Sequence, residues 1–160
     1  MLNEIAGIPA HPLLIHAAVV FLPLLAVASI AYAFVPKVRG RIGWAVFLLA
    51  IVAPLSAWLA TASGERLQNR LVAANFPPEI LDKVSQHQGY GDRAWWFGLA
   101  LGVVTLVLIF MTSGSRRVPH VPTWVNLALG VVVAALAVGT TIYVVLAGDS
   151  GAHAVWENAV

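Results

Sequence analysis

PLLIHAAVVFLPLLAVASIAYAFV, residues 12–35, contains no Asp, Glu, Lys or Arg. At ~1.5 Å rise per residue, a helix of this length covers the ~30 Å hydrocarbon layer of a bilayer. Three further stretches share its character, roughly residues 42–63, 94–112 and 123–147, and none of them holds a charged side chain. The expected fold is therefore all-α, a four-helix transmembrane bundle forming one integral membrane domain over residues 1–160. With 60% hydrophobic and 10% charged residues, no aqueous core of this size would hide the apolar surface.

Charge outside the spans sets an orientation. Lys37, Arg39, Arg41, Arg116 and Arg117 lie in the two short loops after the first and third spans, with no acid among them. The other side carries Arg66, Arg70, Lys83 and Arg93 against all seven acids, a partition of +5 and −3. The positive-inside rule makes the basic loops cytoplasmic, so both termini face outward, across what is expected to be a bacterial inner membrane. The first eleven residues hold Glu4 and no Lys or Arg, which argues against a cleavable leader. The nine basic residues form no continuous stripe, so nucleic acid is not an expected partner; the lipid bilayer is. Trp44 and Trp124 fall at inner boundaries, and Trp58, Trp95, Trp96 and Trp156 at or near outer ones, as indole anchors do.

The connection over residues 64–93 is the one long loop, and it reads as a short helical outer lid between helices 2 and 3. Leu67, Leu71 and Ala74 continue the second helix beyond the membrane, and Pro77-Pro78 breaks the chain. A short helix from Glu79 to about Gln86 follows, with Ile80, Val84 and His87 on one stripe, so that His87 faces the bundle. Gly89-Tyr90-Gly91 is expected to end it and Asp92 to cap the third span. Gly98 and Gly102, with Gly130, Ala134, Ala137 and Gly139, mark seams of close packing, either within one chain or between copies. Pro23 and Pro54 each remove a backbone donor in mid-membrane.

Zero cysteine excludes disulfides, thiolate metal sites, cysteine-ligated clusters and cysteine nucleophiles. Cofactor chemistry thus rests on histidine. His11, His16, His87 and His153 gather on the outer side, with His120 alone inside. Pro12 suits a first helical turn and puts His11 at the helix mouth, with His16 about one turn deeper. A spacing of five rotates the two by ~140°, which does not chelate one metal from a straight helix. His16, inside a span, is expected to face the bundle interior, as a ligand or in a structural hydrogen bond to a freed carbonyl or Glu65. Glu65 leaves the second span at the same height, and His153 follows the fourth just after Gly148 and Gly151. No catalytic nucleophile-and-base motif or phosphate loop is present, so an enzyme is not the favoured reading.

With His11-Pro12 opening the first span, His16 five residues on, His87 before the third and the closing Gly151-Ala152-His153-Ala154-Val155-Trp156, the chain resembles a family. It is that of the small bacterial predicted membrane proteins grouped as a domain of unknown function, number two-two-three-one. Trp156 stands where the family's closing Gly-Gly-x-Leu-Val-Tyr pattern has Tyr, and Ala17-Ala18 follow His16 where Phe-Pro is usual. The resemblance implies a link to respiratory electron transfer, since relatives are joined to Rieske domains or accompany cytochromes. Three functions follow. One is an outer-face haem b held by two of His16, His87, His11 and His153, with propionates near Arg66, Arg70 or Arg93. Another is a copper or zinc site on the same histidines with Glu65. The third is a cofactor-free accessory subunit that packs as a homo-oligomer or against respiratory complex subunits.

Overall fold

The structure, a computed structural model, describes residues 4–5, 8–113 and 122–156. A two-residue antiparallel pairing, β1 (Glu4–Ile5) with β2 (Ile8–Pro9), precedes four long helices. These are α1 (Ala10–Phe34), α2 (Arg39–Ala73), α3 (Pro78–Thr112) and α4 (Thr123–Trp156). All four are long and apolar enough to cross a bilayer. Each packs along its two neighbours in the cyclic order α1, α2, α3, α4, while diagonal helices touch little. The starts of α1 and α3, the ends of α2 and α4 and the α2–α3 turn therefore share one end of the bundle.

The interior is built from small residues at helical spacing, such as Ala50, Ala53, Ala57 and Ala60 on α2. Leu22, Leu25, Leu101, Leu108 and Val133 fill the spaces between them. Gly98 lies under Leu22 of α1, and a Cβ on Gly102 would stand 2.6 Å from the Ala50 carbonyl oxygen of α2. The Gly98/Gly102 seam is thus used within the chain, and it brings α2 and α3 to backbone contact. Thr105 donates to Ser29 at 3.0 Å with both side chains fully buried, tying α3 to α1 across the centre. Large apolar side chains such as Val27, Phe110 and Val145 are exposed around the lateral surface. That surface is a liability in water and the normal one against acyl chains.

At the opposite end, a short 3₁₀ turn (Pro36–Val38) joins α1 to α2. Arg39 closes it, donating from Nε to the Tyr32 carbonyl (2.9 Å) and from its guanidinium to Ala33 (2.8 Å). A cation there answers the carbonyls and negative dipole end of α1.

The α2–α3 connection differs from the expected lid. Helix α2 continues to Ala73, and α3 starts at Pro78 and runs unbroken to Thr112. Gly89-Tyr90-Gly91 does not end a helix, and Asp92 caps nothing. Each helical glycine costs only ~1 kcal/mol, less than the loss of the ladder and of α3's packing on α2 and α4. The connection is a tight turn. Asn75 takes a left-handed φ of 53°, with Asn75 N–H donating to Val72 and Phe76 N–H to Leu71. This Schellman pattern satisfies the last carbonyls of α2, and Pro78 opens α3 where its missing N–H is harmless. α4 likewise passes through Gly148 and Gly151 to Trp156. The apolar spans are the membrane-length parts of longer helices.

Candidate functional site

Two of the predicted histidines meet at the turn-bearing end. His11, in the first turn of α1, and His87 of α3 have ring centroids 6.2 Å apart and planes at 81°. Both rings are half-buried. His11 Nδ1 lies 3.1 Å from the Ala60 carbonyl and 2.9 Å from Ser63 Oγ, both on α2. His87 Nδ1 lies 2.9 Å from the Ala147 carbonyl and 3.3 Å from Ser150 Oγ, both on α4. In each case the serine also donates to the same carbonyl, three residues back along its helix.

A carbonyl only accepts, so Nδ1 carries the hydrogen in both rings, and in a neutral ring Nε2 then keeps its lone pair. The glycine after each serine makes room for the ring. A Cβ at Gly64 would fall 3.1 Å from His11 Cε1, and one at Gly151 2.9 Å from His87 Cε1. The chain thus uses one device twice. Ala60-Thr61-Ala62-Ser63-Gly64 and Ala147-Gly148-Asp149-Ser150-Gly151 share the pattern Ala-x-x-Ser-Gly, each holding a histidine from the preceding helix. Hairpin α1–α2 supplies one ring and hairpin α3–α4 the other. The sequence reading missed Ala60, Ser63, Ala147 and Ser150, although the repeated pentapeptide was available as a signal.

Burial is the main influence on His11 and pushes its pKa below the ordinary histidine value; the Ala60 carbonyl opposes this, and nearby His87 adds to it. The ring is therefore neutral at physiological pH.

The other candidates are placed differently. His16 does not face the bundle interior; it is exposed on α1, because five residues of rotation carry it away from the side on which His11 meets α2. His153 turns back on α4, with Nδ1 2.9 Å from the Asp149 carbonyl and 3.6 Å from its carboxylate, and its side chain is 64% exposed. Arg66 and Arg70 are exposed on α2. Arg93 is also exposed, and its guanidinium lies 6.0 Å from the Tyr90 ring and 5.9 Å from that of Tyr143 on α4. Glu65 does not join the histidines. It lines a separate cavity on the α3 side of α2. His120 lies outside the described residues. Among the described residues, no group of three or more His, Cys, Asp or Glu is placed to hold a metal ion.

These features define a four-helix membrane bundle with a duplicated, serine-braced histidine pair at one end. The family described as predicted membrane protein (DUF2231) matches residues 7–160, and the chain belongs to it. Comparison with curated proteins and with solved structures gives no match.

Proposed function

We propose that His11 and His87 would hold a haem b, and that the protein carries single electrons at the outer face of a bacterial inner membrane. The observation behind this reading is the bracing of both rings through Nδ1, which leaves both Nε2 atoms as acceptors. Histidines that ligate metals characteristically donate their other ring N–H to a carbonyl or carboxylate, which fixes tautomer and orientation.

The residues fit the group in spacing and in donor number. Two imidazoles that shared one metal, with metal–nitrogen bonds of ~2.0–2.1 Å and about 1.1 Å from nitrogen to ring centre, would have centroids no more than about 6.3 Å apart. The observed separation is 6.2 Å. Two nitrogens leave bare zinc or copper short of the four ligands such ions usually take. A porphyrin brings four of its own, so two histidines complete the iron. When bound, a bis-histidine haem supplies one-electron chemistry without an open coordination site. Arg93, whose guanidinium lies near the Tyr90 and Tyr143 rings, would be a counter-charge for a propionate. The orientation, with both termini and the histidines outside, follows from the +5 and −3 charge partition.

The test is the visible spectrum of protein purified from haem-replete cells. A Soret band is expected. His11→Ala and His87→Ala should each shift it to high spin or abolish it, while His16→Ala, His153→Ala and His120→Ala leave it unchanged. Absence of both a Soret band and a bound transition metal, or a spectrum indifferent to His11 and His87, refutes the reading.

A further inference from the structure

A second site lies on the other side of α2. Glu65 and Thr61 of α2 and Asp92 and Trp96 of α3 line a cavity of about 240 Å³ near the turn-bearing end. Below it, between the same two helices, runs an apolar groove of about 540 Å³ that includes Pro54, Leu55, Leu99 and Val103. Trp58 and Trp95 line both, so the two adjoin, a polar cleft next to an apolar groove. The groove faces the bilayer, since Leu55 and Val103 are exposed on the lateral surface.

We propose that this α2–α3 cleft binds an isoprenoid quinol, its ring against the indoles of the lining, a hydroxyl toward Glu65 and Asp92, and its tail in the apolar groove. At ~30 Å³ per water, the polar cleft holds about eight waters, room for one substituted ring and not for an extended polar substrate. The indoles of Trp58 and Trp95 in the lining offer a flat aromatic head surfaces to stack on. Glu65 and Asp92 ionised are acceptors only, which matches a hydroxyl that donates and disfavours the oxidised quinone, whose oxygens only accept. The groove matches a hydrocarbon tail entering sideways from the membrane.

The cleft also lies close to the histidine pair. At ~100° per residue, Ala60, Ser63 and Gly64, which seat His11, centre on one side of α2, and Trp58, Thr61, Ala62 and Glu65 on the opposite side. The two sites are thus about one helix diameter apart, ~10 Å. The binding proposal does not depend on the haem reading.

The test is isothermal titration of the full chain in phosphatidylcholine nanodiscs with a benzoquinol bearing one isoprene unit, kept reduced. One molecule per chain is expected, with the matching quinone at least tenfold weaker. Glu65→Gln combined with Asp92→Asn should weaken the quinol about tenfold, the loss of a hydrogen bond to a charged acceptor. Ala62→Phe, which fills the polar cleft, should abolish binding. His87→Ala should leave it intact, so failure of the haem reading and failure of this one are distinguishable. Heats no larger than those of empty nanodiscs, or an unaltered affinity in Ala62→Phe, overturn the proposal. So does loss of quinol binding when phosphatidylethanolamine replaces the nanodisc lipid, which would make the cleft an aminolipid site.

Discussion

Gly148 and Gly151 sit one turn apart on α4, and the structure assigns them opposite responses to alanine. Nothing lies within 4 Å of a Cβ placed on Gly148, so Gly148→Ala should simply gain helix propensity, ~0.5–1 kcal/mol. At Gly151 the same Cβ would stand 2.9 Å from His87 Cε1 and 3.1 Å from Nδ1, so the ring must retreat by about 0.5 Å to reach ordinary contact. The Ala147 carbonyl that accepts from Nδ1 belongs to the same helix. Retreat therefore stretches the 2.9 Å bond beyond the ~3.2 Å limit of good geometry. Losing that bond costs ~0.5–1.5 kcal/mol, which offsets or exceeds the propensity gain. Gly151→Ala is thus expected to range from near neutral to ~1 kcal/mol destabilising, a gap of about 0.5–1.5 kcal/mol from Gly148→Ala. Thermal unfolding in detergent should separate the two midpoints by about 1–6 °C, at roughly 2–4 °C per kcal/mol for this size. Imidazole ¹⁵N shifts should show His87 losing its fixed tautomer in Gly151→Ala alone. Equal stabilisation of both variants with unchanged His87 signals would mean that the ring is not seated on Gly151.

Three further outcomes are expected. A cysteine introduced at Glu4 or Asn158 should react with an impermeant thiol reagent in intact cells and one at Ser115 should not; the reverse pattern inverts the orientation. Gly102→Ala places a methyl 2.6 Å from the Ala50 carbonyl and should destabilise the bundle by ~1–3 kcal/mol through separation of α2 from α3, whereas Gly40→Ala, with nothing within 4 Å, should not; equal midpoints would deny the close approach. Because the folded-state pKa of His11 is lowered, the unfolded chain binds more protons just below pH ~6.5, so stability should rise with pH there and fall on acidification. His11→Gln should flatten that acid-side slope, and a slope unchanged by the substitution would exclude His11 as its source.

The four spans were legible because lipid imposes the harshest filter a sequence meets: a charged side chain at mid-membrane is costly, so its absence over twenty-odd residues is informative. The helix ends were not legible in the same way. Glu65, Arg66 and Arg70 carry no hydropathy signal, yet α2 runs through them to Ala73. Gly89 and Gly91 read locally as a stop, but hairpin packing outweighs a cost of ~1 kcal/mol each. The stop that held, at Pro77-Pro78, combines a double proline with the left-handed Asn75 before it, whereas the single Pro23 and Pro54 stay inside α1 and α2. Among the histidines, sequence position narrowed the field to four on one side of the membrane. Choosing His11 and His87 required knowing which side of each helix meets a neighbour. The rotation between His11 and His16 was computable; that α2 lies on the His11 side was not.

The duplicated brace separates two properties of the pair that a single site would entangle. Each ring's tautomer is set inside its own hairpin, by Ser63 and Ala60 for His11 and by Ser150 and Ala147 for His87. The distance between the rings is set by contacts between hairpins: Gly102 against Ala50, Leu22 over Gly98 and the Thr105–Ser29 bond. A change such as Ser63→Ala should therefore loosen one imidazole and leave the spacing alone, while Gly102→Ala should move the two rings relative to each other and leave both Nδ1 bonds made. A ligand bridging the rings would feel both changes, one as a weakened axial bond and the other as a misfit in length. A pair of merely structural histidines would respond only to the first, since neither bond to Ala60 nor bond to Ala147 crosses between hairpins.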